Sequence, residues 1–224
     1  MNPVLTELLA TNTVRLPDGG VVPLHSHIPL FECQLMQQWL REQGCRRLIE
    51  IGLAYGISSL FLCDAIADRP DAIYHIIDPH QQRNWQGLGL HHLTQAGYRA
   101  RVHFHESYAE CCLPQLWQDG FRCDFALIDG RHTFDQTLVD FFWINRLLSV
   151  NGIVIFDDIQ LPAIQRATAY VKNYPCYQPL ALPIAIQQAT TARVRRLAGV
   201  PEARIVGFLK IAEDQRTHDW YVDF

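Results

Sequence analysis

The run Glu50-Ile51-Gly52-Leu53-Ala54-Tyr55-Gly56-Ile57-Ser58-Ser59 constrains this chain more than any other stretch of it. It links a short apolar segment, residues 47–51, to one with helical apolar spacing, residues 57–67. Glycines in such a link let the backbone approach a ligand closely and adopt dihedrals barred to other residues. The link also falls at the carboxyl end of a strand, where open α/β sheets bind ligands.

The alternation of strand and helix continues beyond it. Strands are expected at 73–77 (IYHII), 101–105 (RVHFH), 123–128 (CDFALI) and 153–156, the last after the turn Asn151-Gly152. Helices are expected at 31–44, 87–96, 134–148 and 163–172. Short apolar strands between helices imply a parallel sheet covered on both faces. Two final strands, 204–211 and 220–224, are separated by a short turn and read as an antiparallel hairpin at one edge. Residues 1–30, with the turn Pro17-Asp18-Gly19-Gly20, read as an N-terminal arm packed on a single domain over 31–224.

Composition narrows the partners. Of 224 residues, 49% are apolar and 19% charged, enough apolar surface for a substantial core and too little charge for disorder. The net charge is −4, and the densest basic cluster, ARVRR at 192–196, is short enough to be a solvated helix face. Nucleic acid is therefore not the expected partner; a small, weakly charged molecule is. The seven cysteines form no C-x-x-C pair and no disulfide framework, which points to a reducing, cytoplasmic setting. No basic start leads into an apolar stretch and no apolar run is long enough to cross a bilayer, so a soluble protein without a membrane partner is expected.

Three readings of the glycine loop compete. A dinucleotide site would want G-x-G-x-x-G to seat a pyrophosphate, and Glu50 immediately before the loop would repel one. A ligand with an ammonium, a sulfonium and a ribose diol suits carboxylates and polar backbone better. An ordinary tight turn from strand to helix remains open. Asp78 closes the second strand, where an acid can hydrogen-bond ribose hydroxyls or cap the turn before Pro79.

Taken together, IEIGLAYGISSL, IIDPHQ and FALIDGRHTFDQTLVDFFWINRLLSVNGIVIFDD resemble the class I adenosylmethionine-dependent methyltransferases, most of all the branch with bacterial small-molecule O-methyltransferases. The resemblance runs from about residue 25 and is strongest between 47 and 160. It implies a Rossmann-like, doubly wound sheet of seven mostly parallel strands with the last inserted antiparallel. It implies S-adenosylmethionine contacts at Glu50, Gly52, Gly56, Ser58 and Asp78, with Ala54, Tyr55 and Ser59 in the same loop. Ser107 and Tyr108 stand where such enzymes contact the adenine. Family members often dimerise, so a homodimer is an expectation.

Asp129 ends the fourth strand, and Asp157 and Asp158 end the fifth. If those strands are neighbours the three carboxylates meet at one sheet edge, where like charges raise each other's pKa and a cation would relieve them. An all-oxygen site suits Mg²⁺. The three acids match the metal ligands of divalent-metal O-methyltransferases, with Asp129 also beside the cofactor. The lysine that acts as base in catechol-type members is replaced by His132, as in the sugar O-methyltransferases. Histidine is well placed to take a proton near neutral pH. Metal-free members keep acids at these loops too, and His132 could instead shape the start of the following helix. His91-His92 and His103/His105 have no zinc-site companions.

The expected activity is transfer of a methyl group to a hydroxyl of a small molecule. The alternatives are an adenosylmethionine-binding partner subunit without catalysis, and a metal-dependent enzyme of another class. Residues 1–30 and 173–203 lie outside the core motifs and are the expected walls and lids of the acceptor pocket.

Overall fold

Alternate residues of the strands divide between two apolar clusters in the computed structural model, which describes residues 1–181 and 203–222. Leu48, Tyr74, Ile76, Phe125, Leu127, Ile153 and Ile155 face one cluster; Ile49, Ile51, Ile77, Ala126, Ile128, Val154 and Phe156 face the other. Period-two burial on both faces is what a sheet between two helical layers requires.

The chain opens with α1 (Pro3–Thr11), whose Asn2 cap accepts a hydrogen bond from Val4 N, and a hairpin of β1 (Thr13–Arg15) and β2 (Val21–Pro23). It continues through α2 (Leu30–Glu42), β3 (Arg47–Ile51), α3 (Ile57–Ala65), β4 (Ile73–Ile77), α4 (Gln81–Trp85), α5 (Leu88–Gln95) and β5 (Val102–His105). Then come α6 (Ala109–Gln118), β6 (Cys123–Ile128), α7 (Phe134–Leu147), β7 (Leu148–Phe156), α8 (Pro162–Val171), β8 (Tyr177–Pro179) and β9 (Val206–Lys210). Leu5, Val14, Leu24 and Ile28 of the arm are buried in the same cluster as α2 and α3.

The seven-stranded sheet has the order β5-β4-β3-β6-β7-β9-β8, and β9 runs antiparallel to both β7 and β8. The expected Rossmann-like, doubly wound architecture with an antiparallel edge is therefore present. The edge pairing corrects one detail: β9 pairs with Tyr177–Pro179, not with 220–224. Trp220 instead packs on Tyr170 and Tyr174, with the Arg216 guanidinium 4.7 Å from its ring centroid. An aromatic side chain half-buried against Tyr170 and Tyr174 displaces the pairing that its apolar neighbours suggested. β7 also begins earlier than expected, at Leu148, with Asn151 in the left-handed region (φ 69°) inside it. Residues 182–202, including the arginine cluster and most of the proposed lid, lie outside the described residues, as do 223–224.

Successive strands move outward in opposite directions from β3 and β6, so the crevice at their carboxyl ends is the topological switch point. Gly52 follows one strand and Asp129 the other.

Candidate active site

Gly52 and Asp129 meet at that crevice. Asp129 N donates to Ile51 O at 3.0 Å, and Gly52 N donates to Ile77 O at 2.9 Å. Gly52 has φ +97°, and a Cβ there would stand 2.1 Å from Asp129 O, so both dihedral and space demand glycine. The loop is held from the other side by Asp78. Its Oδ2 accepts from Leu53 N at 3.1 Å and Ala54 N at 3.2 Å, and its Oδ1 from His80 N at 2.8 Å. Asp78 N in turn donates to His105 O at the end of β5 (3.1 Å). Three backbone donors fix the carboxylate at the mouth of the crevice.

Glu50 sits in β3 immediately before the loop. It is fully buried on the α3 face of the sheet and accepts hydrogen bonds from the hydroxyls of Ser58, Ser59 and Tyr74. Burial pushes its carboxyl up to about 7, against the pull of those three donors. It ties β3 to α3 beneath the loop. Glu50, Ser59 and Ser107, expected as cofactor contacts, are not among the residues that line the cavity described below.

The acids after β6 and β7 do converge, together with two residues of positive character. His132 Nε2 lies 3.1 Å from Asp158 Oδ2 and 3.5 Å from Asp129 Oδ1. The ligating atoms of Asp129, His132 and Asp158 all fall within 4.8 Å of one another, a grouping that leaves out Asp157. The Arg204 guanidinium bonds Asp158 Oδ1, which also accepts from Gln160 Nε2 at 2.6 Å. Burial, reinforced for Asp157 by the charge of Asp129, raises the carboxyls of both Asp129 and Asp157. Although burial pushes the other way, Arg204, Gln160 and His132 hold Asp158 below its ordinary value. The hydrogen bond to Asp129 and the charges of the three aspartates raise His132. Asp157 Oδ1 is buried and has no hydrogen-bond partner among the described residues.

These groups open on one cavity of about 910 Å³. Of the residues singled out in the sequence, Gly52, Ala54, Tyr55, Gly56, Ser58, Asp78, Tyr108, Asp129, His132, Asp157 and Asp158 line it. The arm contributes His25, Ser26, His27 and Ile28, as its expected role as a wall requires. The Tyr55 hydroxyl is 3.2 Å from His25 Nε2, and the Tyr55 ring meets Trp85 edge-on at 4.9 Å. Gln136, Asp140 and Arg204 also line the cavity and were not anticipated. The i, i+4 spacing of Gln136 and Asp140, on the helix that begins just after Asp129, would have placed both on one helix face. Arg204 carries no such signal, since its contacts are to residues distant in sequence.

Residues 49–159 match the family model of a methyltransferase domain. No curated protein sequence matches the chain. Solved structures do. The O-methyltransferase from Bacillus cereus in complex with adenosylhomocysteine is 18% identical with a TM-score of 0.70, covering 94% of this chain and 92% of that one. The O-methyltransferase TomG from Streptomyces achromogenes, involved in tomaymycin synthesis and bound to adenosylmethionine, is 18% identical with a TM-score of 0.68 (95% and 91% covered). An adenosylhomocysteine-bound methyltransferase from Podospora anserina is 17% identical with a TM-score of 0.69, covering 95% and 89%. At these identities the likeness is one of fold. Among the described residues no helix is long and apolar enough to cross a membrane.

Proposed function

We propose that this chain, whose residues 49–159 match the family model of a methyltransferase domain, is a class I, adenosylmethionine-dependent enzyme that methylates a hydroxyl of a small molecule, with His132 as the base. The observation that carries the reading is that one cavity joins the glycine loop and Asp78 to the Asp129–His132–Asp158 group. A space of about 910 Å³ has room for a nucleoside cofactor and a small acceptor side by side.

Bound in this cavity, adenosylmethionine supplies an electrophilic methyl group on a sulfonium. The backbone of Gly52 to Gly56 and the fixed Asp78 carboxylate hold it; Asp78 suits the ribose hydroxyls because its backbone bonds already orient it. Asp129 and Asp158 orient His132. The neutral imidazole carries its proton on Nε2, facing Asp158, which leaves Nδ1 to take the proton of the acceptor hydroxyl. The acceptor oxygen thereby gains the electron pair that would form the new bond to carbon, while the carbon–sulfur bond breaks, its electrons return to sulfur and adenosylhomocysteine leaves.

Mg²⁺ at Asp129, Asp157 and Asp158 is not part of this proposal. Both oxygens of Asp158 already face donors, Arg204 and Gln160 on one and His132 on the other, so Asp158 has no open oxygen to share with a dication. Incubation with methyl-labelled adenosylmethionine and a panel of hydroxylated metabolites tests the reading. Label transferred to a hydroxyl oxygen is the expected result. Transfer to nitrogen or carbon acceptors alone would overturn it.

A further inference from the structure

We propose that Arg204 occupies the role of a divalent cation in this site, so that the acidic cluster works without metal. The inference rests on the methyltransferase reading for its meaning but not for its test. A dication shared by all three acids would need a free oxygen on Asp158, the one of them that already holds a cation; Asp157 Oδ1, by contrast, has no partner among the described residues. Asp158 Oδ1 spends its pairs on the Arg204 guanidinium and on Gln160 Nε2 at 2.6 Å. Asp158 Oδ2 has His132 Nε2 at 3.1 Å, and the same nitrogen stands 3.5 Å from Asp129 Oδ1.

Arg204 is built into this position. Its backbone N donates to the carboxylate of Glu32, a fully buried residue of α2, and its carbonyl accepts from Ile159 N at 2.8 Å in the turn after β7. Ile205 beside it is buried in the core. The residue is thus pinned from α2 on one side and from the Asp157-Asp158 turn on the other, and the side chain has one acid within reach of its fork. A guanidinium stays charged wherever the chain is folded and is more weakly hydrated than an ammonium, which suits it to a partly buried carboxylate. Removing it would leave Asp129, Asp157 and Asp158 facing one cavity with only His132 beside them, the situation in which like charges favour uptake of a cation.

The test is titration of the chelator-treated full chain with Mn²⁺, read by electron paramagnetic resonance, with adenosylhomocysteine binding measured calorimetrically on the same samples. Wild-type protein should show no Mn²⁺ site tighter than about 1 mM, and Arg204→Met should bind Mn²⁺ at least about tenfold more tightly than wild type. A micromolar Mn²⁺ site in the wild type would overturn the proposal. So would an Arg204→Met protein that melts cooperatively yet gains no affinity. If that variant does not fold, Arg204→Gln serves in its place, and the wild-type titration stands by itself. Absence of adenosylhomocysteine binding would sink the methyltransferase reading alone, because the Mn²⁺ signal is read without it.

Discussion

The Nε2 atom of His132 lies 3.1 Å from Asp158 Oδ2, and Oδ1 of the same carboxylate is bonded to Arg204. The aspartate therefore joins a fixed cation on one side to the imidazole on the other. A positioned general base typically contributes 10²- to 10⁴-fold to a rate. His132→Ala is expected to lower methyl transfer by about 10²-fold or more while leaving adenosylhomocysteine affinity unchanged. Equal loss of affinity and turnover would show that the ring only shapes the start of α7.

Gly52→Ala is expected to be severe. The new Cβ would stand 2.1 Å from the Asp129 carbonyl, at a φ of +97° that side chains rarely adopt. Overpacking typically costs about 1–3 kcal/mol and the backbone conformation roughly 1–2 more. Thermal unfolding should show a large fall in Tm or an insoluble product. A Tm within a degree or two of wild type would mean that β3 and β6 do not approach as closely as described.

One buried and one half-buried group give opposite pH dependences. Glu50 is raised to about 7 in the folded chain from an ordinary value near 4.5, chiefly by burial. The folded state then holds the proton more tightly, so its contribution is full at low pH and is lost as pH rises through about 7. His75 is pushed down to about 4 from 6.5, first by burial and then by His105, His103 and Arg47. Its Nδ1 is 2.8 Å from His105 Nε2. Here the unfolded chain binds the proton more tightly, so stability is present above 6.5 and is lost as pH falls towards 4. Relative to wild type, His75→Gln should make Tm fall less on acidification between pH 6.5 and 4, and Glu50→Gln should make it fall less on raising pH from 4.5 to 7. Parallel pH profiles for wild type and either variant would contradict the assignment of that group.

The elements that position the site were legible because their signals are local. β3, β4 and β6 coincide with the apolar runs that suggested them, and Gly52, Gly56 and Asp78 fall at the strand ends where their chemistry is needed. What escaped depended on contacts far along the chain. Helix α6 carries Pro114 within it, which hid its periodicity. The strand that pairs with β9 is only three residues long, whereas Trp220 offered a stronger apolar signal for a different reason. Glu50 was read by its place in the motif, and only the hydroxyls of Ser58, Ser59 and Tyr74 show that it faces α3. Arg204 lies 46 positions from Asp158 and 172 from Glu32, in no motif at all. A guanidinium supplied from that distance is invisible in the acidic loop whose Asp158 it bonds.

The proposed function places adenosylmethionine in the crevice between the glycine loop and Asp78. Calorimetric titration of wild type and Asp78→Ala with adenosylmethionine tests it most directly. The Asp78 carboxylate fixes the loop through Leu53 and Ala54 and is itself held by His80. Hydrogen bonds to a charged group are worth about 1.5–3 kcal/mol, so one site per chain is expected in the wild type and at least about tenfold weaker binding in the variant. No binding by the wild type, or equal affinity in the two proteins, would contradict that placement.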